Sequence, residues 1–136
     1  MYLLDTDVAS QRTKIEPVAS VMAWLRDAPS SHLFLSVITI QEIRSGIEWM
    51  PHGRKRRSIE EWLERDVLVK FADRILPVDI AVADLCGRMI AEARRAKHTP
   101  TLDDALIAAT ARVHGFKVAT LNRQHFEKLG VELVKF

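Results

Sequence analysis

The chain has 136 residues, enough for one ordinary domain spanning 1–136 and too few for two. Apolar residues make up 48% and charged residues 28%, the balance of a soluble chain with a real core, which excludes a disordered or fibrous polypeptide. A net charge of only +2 gives no bulk electrostatic reason to bind nucleic acid, and no apolar run approaches the ~20 residues that cross a bilayer.

In chain order, residues 2–4 read as a short buried strand that delivers Asp5 and Asp7 at its end. Residues 17–27 carry Val18, Val21, Met22 and Leu25 at helical spacing. Residues 32–35 (HLFL) read as a second strand, and 37–50 as a helix with Ile40, Ile43, Ile47 and Met50 on one stripe. Another helix is predicted over 58–71, with Ile59, Trp62, Leu63 and Val67. Residues 75–78 form a third strand candidate that Pro77 confines to a strand end or an edge. A long helix follows over 80–96, then a helix over 102–114 closed by Gly115. Residues 116–119 and 131–134 complete the set as a fourth and a fifth strand. Core packing is the expected role of Trp24, Trp49 and Trp62, although Trp49 and Trp62 also flank a basic run. Continuous apolar strands alternating with helices indicate an α/β fold with a parallel sheet covered by helices, and such sheets place ligands at the carboxyl ends of their strands.

The single cysteine, Cys86, lies in an apolar stretch and has no partner for an intrachain disulfide. Asp5 comes too early for a signal peptide, so a cytoplasmic location is expected. Two basic runs stand out: Arg54, Lys55, Arg56 and Arg57, and then Arg94, Arg95, Lys97 and His98. Each is either solvated helix surface or a set of phosphate contacts.

Three carboxylates recur at comparable structural places. Asp5 ends the first strand, Glu42 rides on the helix after the second, and Asp104 begins the helix that leads to the fourth. Glu42 is two positions from Ile40, which turns it away from the apolar stripe. Each acid alone has a plain structural reading. Asp5 and Asp7 can start a turn or cap a helix, Glu42 can be an exposed helix acid, and Thr101-Leu102-Asp103-Asp104 matches a capping box. Together, at one sheet edge, they would repel one another unless a cation offsets their charge. Their hard oxygen donors select Mg²⁺ or Mn²⁺ over zinc.

The ordered segments YLLDTDVAS, LSVITIQEIRSG, TLDDALIAATARVHG and KVATLNRQHF run from residue 2 to residue 126 and resemble the PIN-domain family, specifically the VapC-type toxins of type II toxin–antitoxin pairs. The resemblance implies a three-layer α/β/α sandwich around a central parallel sheet of four to five short strands. It implies a Mg²⁺-dependent endoribonuclease that hydrolyses phosphodiesters in single-stranded RNA, inhibited by a cognate antitoxin. It further implies a homodimer, a heterotetramer or larger assembly with the antitoxin, and operator DNA bound through that antitoxin. By position, Asp5, Glu42 and Asp104 match the family's catalytic acids, with Asp5 and Asp104 as metal ligands. Thr6, Asp7, Asp103, Thr120 and Asn122 support them, and Arg54, Lys55, Arg56, Arg57, Arg94 and Arg95 are candidates for the RNA backbone. Two positions depart from the pattern: Asn122 occupies a fourth acidic position, and Leu121 stands where arginine is frequent.

An acidic pocket without its metal should attract a guanidinium, so the antitoxin is expected to carry a basic tail with an arginine for this site. Two other readings remain. One is a catalytically weak PIN-like module that acts by binding antitoxin and DNA. The other is a phosphatase of the haloacid-dehalogenase type, in which Asp5 would be the nucleophile and Asp7 the general acid. Ala9, where that family has a hydroxyl, and the short chain weigh against the phosphatase.

Overall fold

Four strands, β1 (Tyr2–Leu4), β2 (Leu33–Ser36), β3 (Ile75–Leu76) and β4 (Lys117–Ala119), form a parallel sheet in the order β3-β2-β1-β4 in the computed structural model, which describes every residue from Met1 to Phe136. Successive strand residues face opposite sides of a sheet. Leu3 and Leu4 therefore enter two different cores, as do Val118 and Ala119, and all four are buried. That double burial is why the strands are continuous apolar runs with no polar alternation.

One face is covered by α1 (Thr6–Ala9), α2 (Ala19–Asp27), α3 (Val37–Trp49), and a bent rod made of α4 (Arg54–Glu61), a π-helical turn (Trp62–Val67) and α5 (Leu68–Lys70). The other is covered by α6 (Ile80–Arg95), α7 (Leu102–His114) and α8 (Arg123–Phe126). This is the three-layer α/β/α arrangement expected from the sequence. In α7 the small buried residues Ala105, Ala108, Ala109 and Ala111 let the helix lie close against the sheet and α6. Side-chain caps start α3 (Ser36 Oγ accepts from Ile38 N, 3.0 Å), α6 (Asp79 from Val82 N, 3.0 Å) and α7 (Thr101 from Asp104 N, 3.1 Å). Gly115 closes α7 in the left-handed region, φ 71°, as its position suggested.

Four features differ from the sequence reading. Residues 131–134 make one bridge, Val118 to Leu133, and not a fifth strand. In a three-residue edge strand only the middle residue aims its backbone outward. Val118 donates to Glu132 O and accepts from Val134 N, both at 2.9 Å, while Lys117 N and Ala119 O are used by Met1 O and Asp5 N on the β1 side. The helix expected from residue 58 begins at Arg54, so the basic run forms its first turn. Trp49 is 92% exposed and packs in no core. The buried stripe of α3 is Thr39, Ile43 and Ile47, and Trp49 is two residues past Ile47, on the opposite side of the helix. Trp24 and Trp62 do pack: Trp24 stands edge-on to Tyr2 (5.0 Å) and Phe136 (5.4 Å), and both border the second core.

Arg56 is the fourth difference. Its guanidinium donates to Glu48 (2.8 Å), Glu60 (3.1 Å) and the Met50 carbonyl (2.9 Å), with only 12% of the side chain exposed. It is a clasp between the end of α3 and the start of α4, with its donors used, and not a free phosphate ligand. Arg56→Ala is expected to lower stability by about 1–2 kcal/mol in urea denaturation. Arg54→Ala and Arg57→Ala should each change it by less than about 0.5 kcal/mol, since neither side chain is paired.

Candidate active site

The chain leaves β1 toward β2 on one side and returns, after β3, to place β4 on the other. Connections thus diverge between β1 and β4, which opens a crevice at their carboxyl ends. Asp5 N donates to Ala119 O at 2.9 Å, carrying the β1–β4 pairing one residue beyond the strand and setting Asp5 beside Thr120. Thr120 Oγ1 donates to Asp5 Oδ2 at 2.8 Å and accepts from Asn122 N at 3.0 Å. Asp5 Oδ1 accepts from Thr6 N at 2.9 Å, so the same carboxylate caps α1. The helix-cap reading and the active-site reading of Asp5 are compatible. Asp7, in the first turn of α1, accepts from Leu121 N at 3.1 Å through Oδ2, and its Oδ1 is buried with no hydrogen-bond partner.

Glu42 reaches the crevice from α3. Thr6 Oγ1 donates to Glu42 Oε1 at 2.7 Å, and Thr39 Oγ1, one helical turn before Glu42, lies 3.4 Å from the same hydroxyl. Asp103 and Asp104 arrive on the first turn of α7. The charge of Asp104 acts on both Asp5 and Glu42, whereas that of Asp103 acts on Glu42. Of the pair, Asp104 is the one whose charge reaches Asp5. His125 Nδ1, on α8, is 3.4 Å from Asp104 Oδ2.

Burial raises the pKa of Asp5, Asp7 and Glu42, and repulsion from neighbouring carboxylates adds to the rise at Asp5 and Glu42. Burial first, then the Asp7 carboxylate and finally Asp104, push Asp5 to about 7, against hydrogen bonds from Thr120 and Thr6 that favour the charged form. Burial likewise raises Asp7, opposed chiefly by the Leu121 amide. Burial raises Glu42, with the Thr6 bond opposing and the charges of Asp103, Asp104 and Asp7 adding to the rise. No lysine or arginine pairs with Asp5, Asp7, Glu42, Asp103 or Asp104.

The donors are all hard oxygens, one buried carboxylate oxygen is unsatisfied, and the negative charge has no lysine or arginine to balance it. Such a set fits a hard divalent cation. The side chains are not drawn into a closed three-ligand shell. Asp5 is engaged by two hydrogen bonds and Glu42 by one, which suits an ion that keeps several waters and few protein ligands.

The basic runs are not part of this cluster. Arg94 and Arg95 end α6, whose following residues Ala96 and His98 share a cavity with Arg112 and Gly130. Arg112 is eight residues past Asp104, about 12 Å along α7, so those arginines lie at the far end of that helix from the acids. Asn122 is exposed and meets the cluster through its backbone amide only. Three participants escaped the sequence reading: Thr39, His125 and the Leu121 amide. Thr39 alone had a signal, since it stands three residues before Glu42 on one helix face.

The raised pKa of Asp5 makes the folded chain hold a proton that the unfolded chain releases. Between about pH 4 and pH 7 the folded state therefore binds more protons, and stability falls as pH rises through that window. In chelator-treated protein the fall should be steepest near its middle, up to about 1.4 kcal/mol per pH unit for one group. Asp5→Asn should flatten this profile and raise the melting temperature at pH 8. Parallel profiles for the two proteins would show that Asp5 carries no buried charge.

A PIN domain is matched over residues 2–132. The VapC ribonuclease Y4jK of Sinorhizobium fredii is 37% identical over 134 residues, covering 98% of this chain and 96% of that one. Toxin FitB of Neisseria gonorrhoeae is 36% identical over 126 residues, covering 93% and 91%. The crystal structure of FitAcB from Neisseria gonorrhoeae superimposes with a TM-score of 0.92 at 35% identity, covering 99% of this chain and 97% of that chain. With the sheet order, the acidic crevice and these likenesses together, the chain belongs to the PIN-domain family and, within it, to the VapC-type toxins.

Proposed function

We propose that the chain is a metal-dependent endoribonuclease, the toxin of a toxin–antitoxin pair, acting on single-stranded RNA at the Asp5–Glu42–Asp104 crevice. The observation that supports it is the crowding of these carboxylates, around a buried Asp5, with no lysine or arginine paired to them. The ribonuclease and toxin names of its relatives support the same reading.

Asp5 and Asp104 would hold Mg²⁺ or Mn²⁺ directly, and Glu42 directly or through water. When bound, such an ion lowers the pKa of a coordinated water and offsets charge on the phosphate oxygens. The remaining work belongs to the chain. Thr120 and Thr6 fix the Asp5 carboxylate and favour its ionised form against the effect of burial. The Thr6 hydroxyl also orients Glu42, so one residue positions two acids. Asp7 adds negative charge behind Asp5 and anchors the β4–α8 turn through Leu121. Asn122 brings no charge to the fourth acidic position, which favours one well-held ion.

The phosphatase alternative lacks support here. Asp7, its general acid, is half-buried and bound to the Leu121 amide, and the chain's family is a different one. The cognate antitoxin would offer a basic tail to the same acids, in a complex of toxin homodimers that reaches operator DNA through the antitoxin.

Purified antitoxin-free protein should cleave single-stranded RNA with Mg²⁺ and lose that activity with EDTA. Asp5→Ala and Asp104→Asn should each reduce cleavage by about 100-fold or more. Thr6→Val should cost about tenfold, by loosening Glu42. Cleavage that survives both EDTA and Asp5→Ala would rule the mechanism out. Absence of Mg²⁺ and Mn²⁺ binding by the free protein would favour the catalytically weak binding module.

A further inference from the structure

Trp49, at the last position of α3, leaves 92% of its surface in water, an unusual fate for the largest apolar side chain. It is seven residues beyond Glu42. Seven residues return a helix to within ~20° of its starting direction, so Glu42 and Trp49 share a face. The residues between them on that face are Ser45 and Gly46, both small and exposed. A Cβ added at Gly46 would meet nothing within 4 Å, so the surface there is open. The result is a low floor bounded by an acid at one end and an indole at the other. At ~1.5 Å per residue the two ends are about 10 Å apart along the helix, the span of about three stacked nucleotides at ~3.4 Å each.

The charge beside Trp49 favours a polyanion. Arg56 pins the first turn of α4 to the end of α3 and offsets part of the charge of Glu48 and Glu60. Arg54 and Arg57, on one face of α4, are exposed and have no ion-pair partner. An exposed indole next to unpaired guanidinium groups suits a nucleic-acid strand, whose bases stack and whose phosphates take the cations. It offers no charge attraction to a protein segment with a basic tail.

We propose that Trp49 is the stacking platform for a base of the RNA substrate, about three nucleotides from the scissile phosphate, with Arg54 and Arg57 on the adjoining phosphates. The assignment rests on the ribonuclease reading. The strand would run from the acidic crevice over Ser45 and Gly46 to the indole. Trp49 would then position substrate and set the minimum length of RNA that binds well.

The test is the affinity of the full, antitoxin-free chain for a fluorescein-labelled oligouridylate, read by fluorescence anisotropy in an Asp5→Asn background that does not hydrolyse the probe. Trp49→Ala should weaken binding by about 5- to 100-fold, and Trp49→Phe should restore most of it, because a phenyl ring also stacks. Gly46→Leu, which has room in the folded chain but raises the floor, should weaken binding as well. Arg54→Ala with Arg57→Ala should lower the salt dependence of binding. Unchanged affinity in Trp49→Ala, or a Phe variant as weak as the Ala variant, would overturn the assignment. So would a Trp49→Ala protein that keeps its RNA affinity but loses affinity for the antitoxin, which would make this face a protein-docking surface. A parental chain that binds no RNA would overturn the ribonuclease reading along with this one. A parental chain that binds RNA regardless of residue 49 would overturn this one alone.

Discussion

The carboxylate of Asp5 is the constraint around which the rest of the molecule is arranged. It is buried at the end of β1, held by an amide of its own helix and by a hydroxyl from the neighbouring strand. A buried carboxylate is costly unless something balances its charge, and the fold surrounds this one with more acid. Asp7, Glu42 and Asp104 come from three further turns of chain, yet a parallel sheet brings the carboxyl ends of all its strands to one edge. The arrangement destabilises the chain by itself, and under the proposed mechanism a bound cation would offset that cost.

That site needs a stiff support, and the sheet supplies it from very little material. Three-residue strands have few ladder bonds, so their position depends on the cores above and below them. Leu3 and Leu4, on consecutive residues, are each locked into a different core immediately before Asp5. On the other side of the pairing, Val118 and Ala119 do the same immediately before Thr120. The hydrogen bond between Thr120 and Asp5 thus joins two backbones that are anchored on both faces. The small residues of α7 carry Asp104 into the crevice by the same logic, since a helix of bulkier side chains would stand farther from the sheet.

The acids were legible in the sequence because their signals are local. An apolar run ends at Asp5, helical spacing turns Glu42 off the apolar stripe, and a capping threonine precedes Asp104. The layered fold was legible for the same reason. The partners of those acids were less so. The reach of the Leu121 amide to Asp7 and of His125 toward Asp104 exists only because β4 lies beside β1, and strand order is not a local property. Arg56 and Trp49 misled for a complementary reason. A run of four basic residues does not reveal which one its neighbours will neutralise, and a tryptophan near a stripe can fall on either side of it. The fifth strand failed on a count: β4 has one outward-facing residue, so the last segment can make a bridge and nothing longer.

An acid-lined crevice is a poor place for a polyanion to arrive. The carboxylates that suit it to hold a cation also repel the phosphates it is proposed to cut, and at short range that repulsion is barely screened. Affinity for the substrate must therefore come from elsewhere on the surface, and from groups that do not compete for the ion. The proposed assignments put the two tasks at different places on one helix. Glu42 is midway along α3 with the acids, whereas Trp49 ends it, about 10 Å farther along, where α4 with its unpaired Arg54 and Arg57 begins. Arg56 contributes by position and by partial charge compensation: it ties the end of α3 to the start of α4 and offsets part of the charge of Glu48 and Glu60. A rigid helix with opposite chemistry at its two ends lets the same strand be attracted at one point and presented at another.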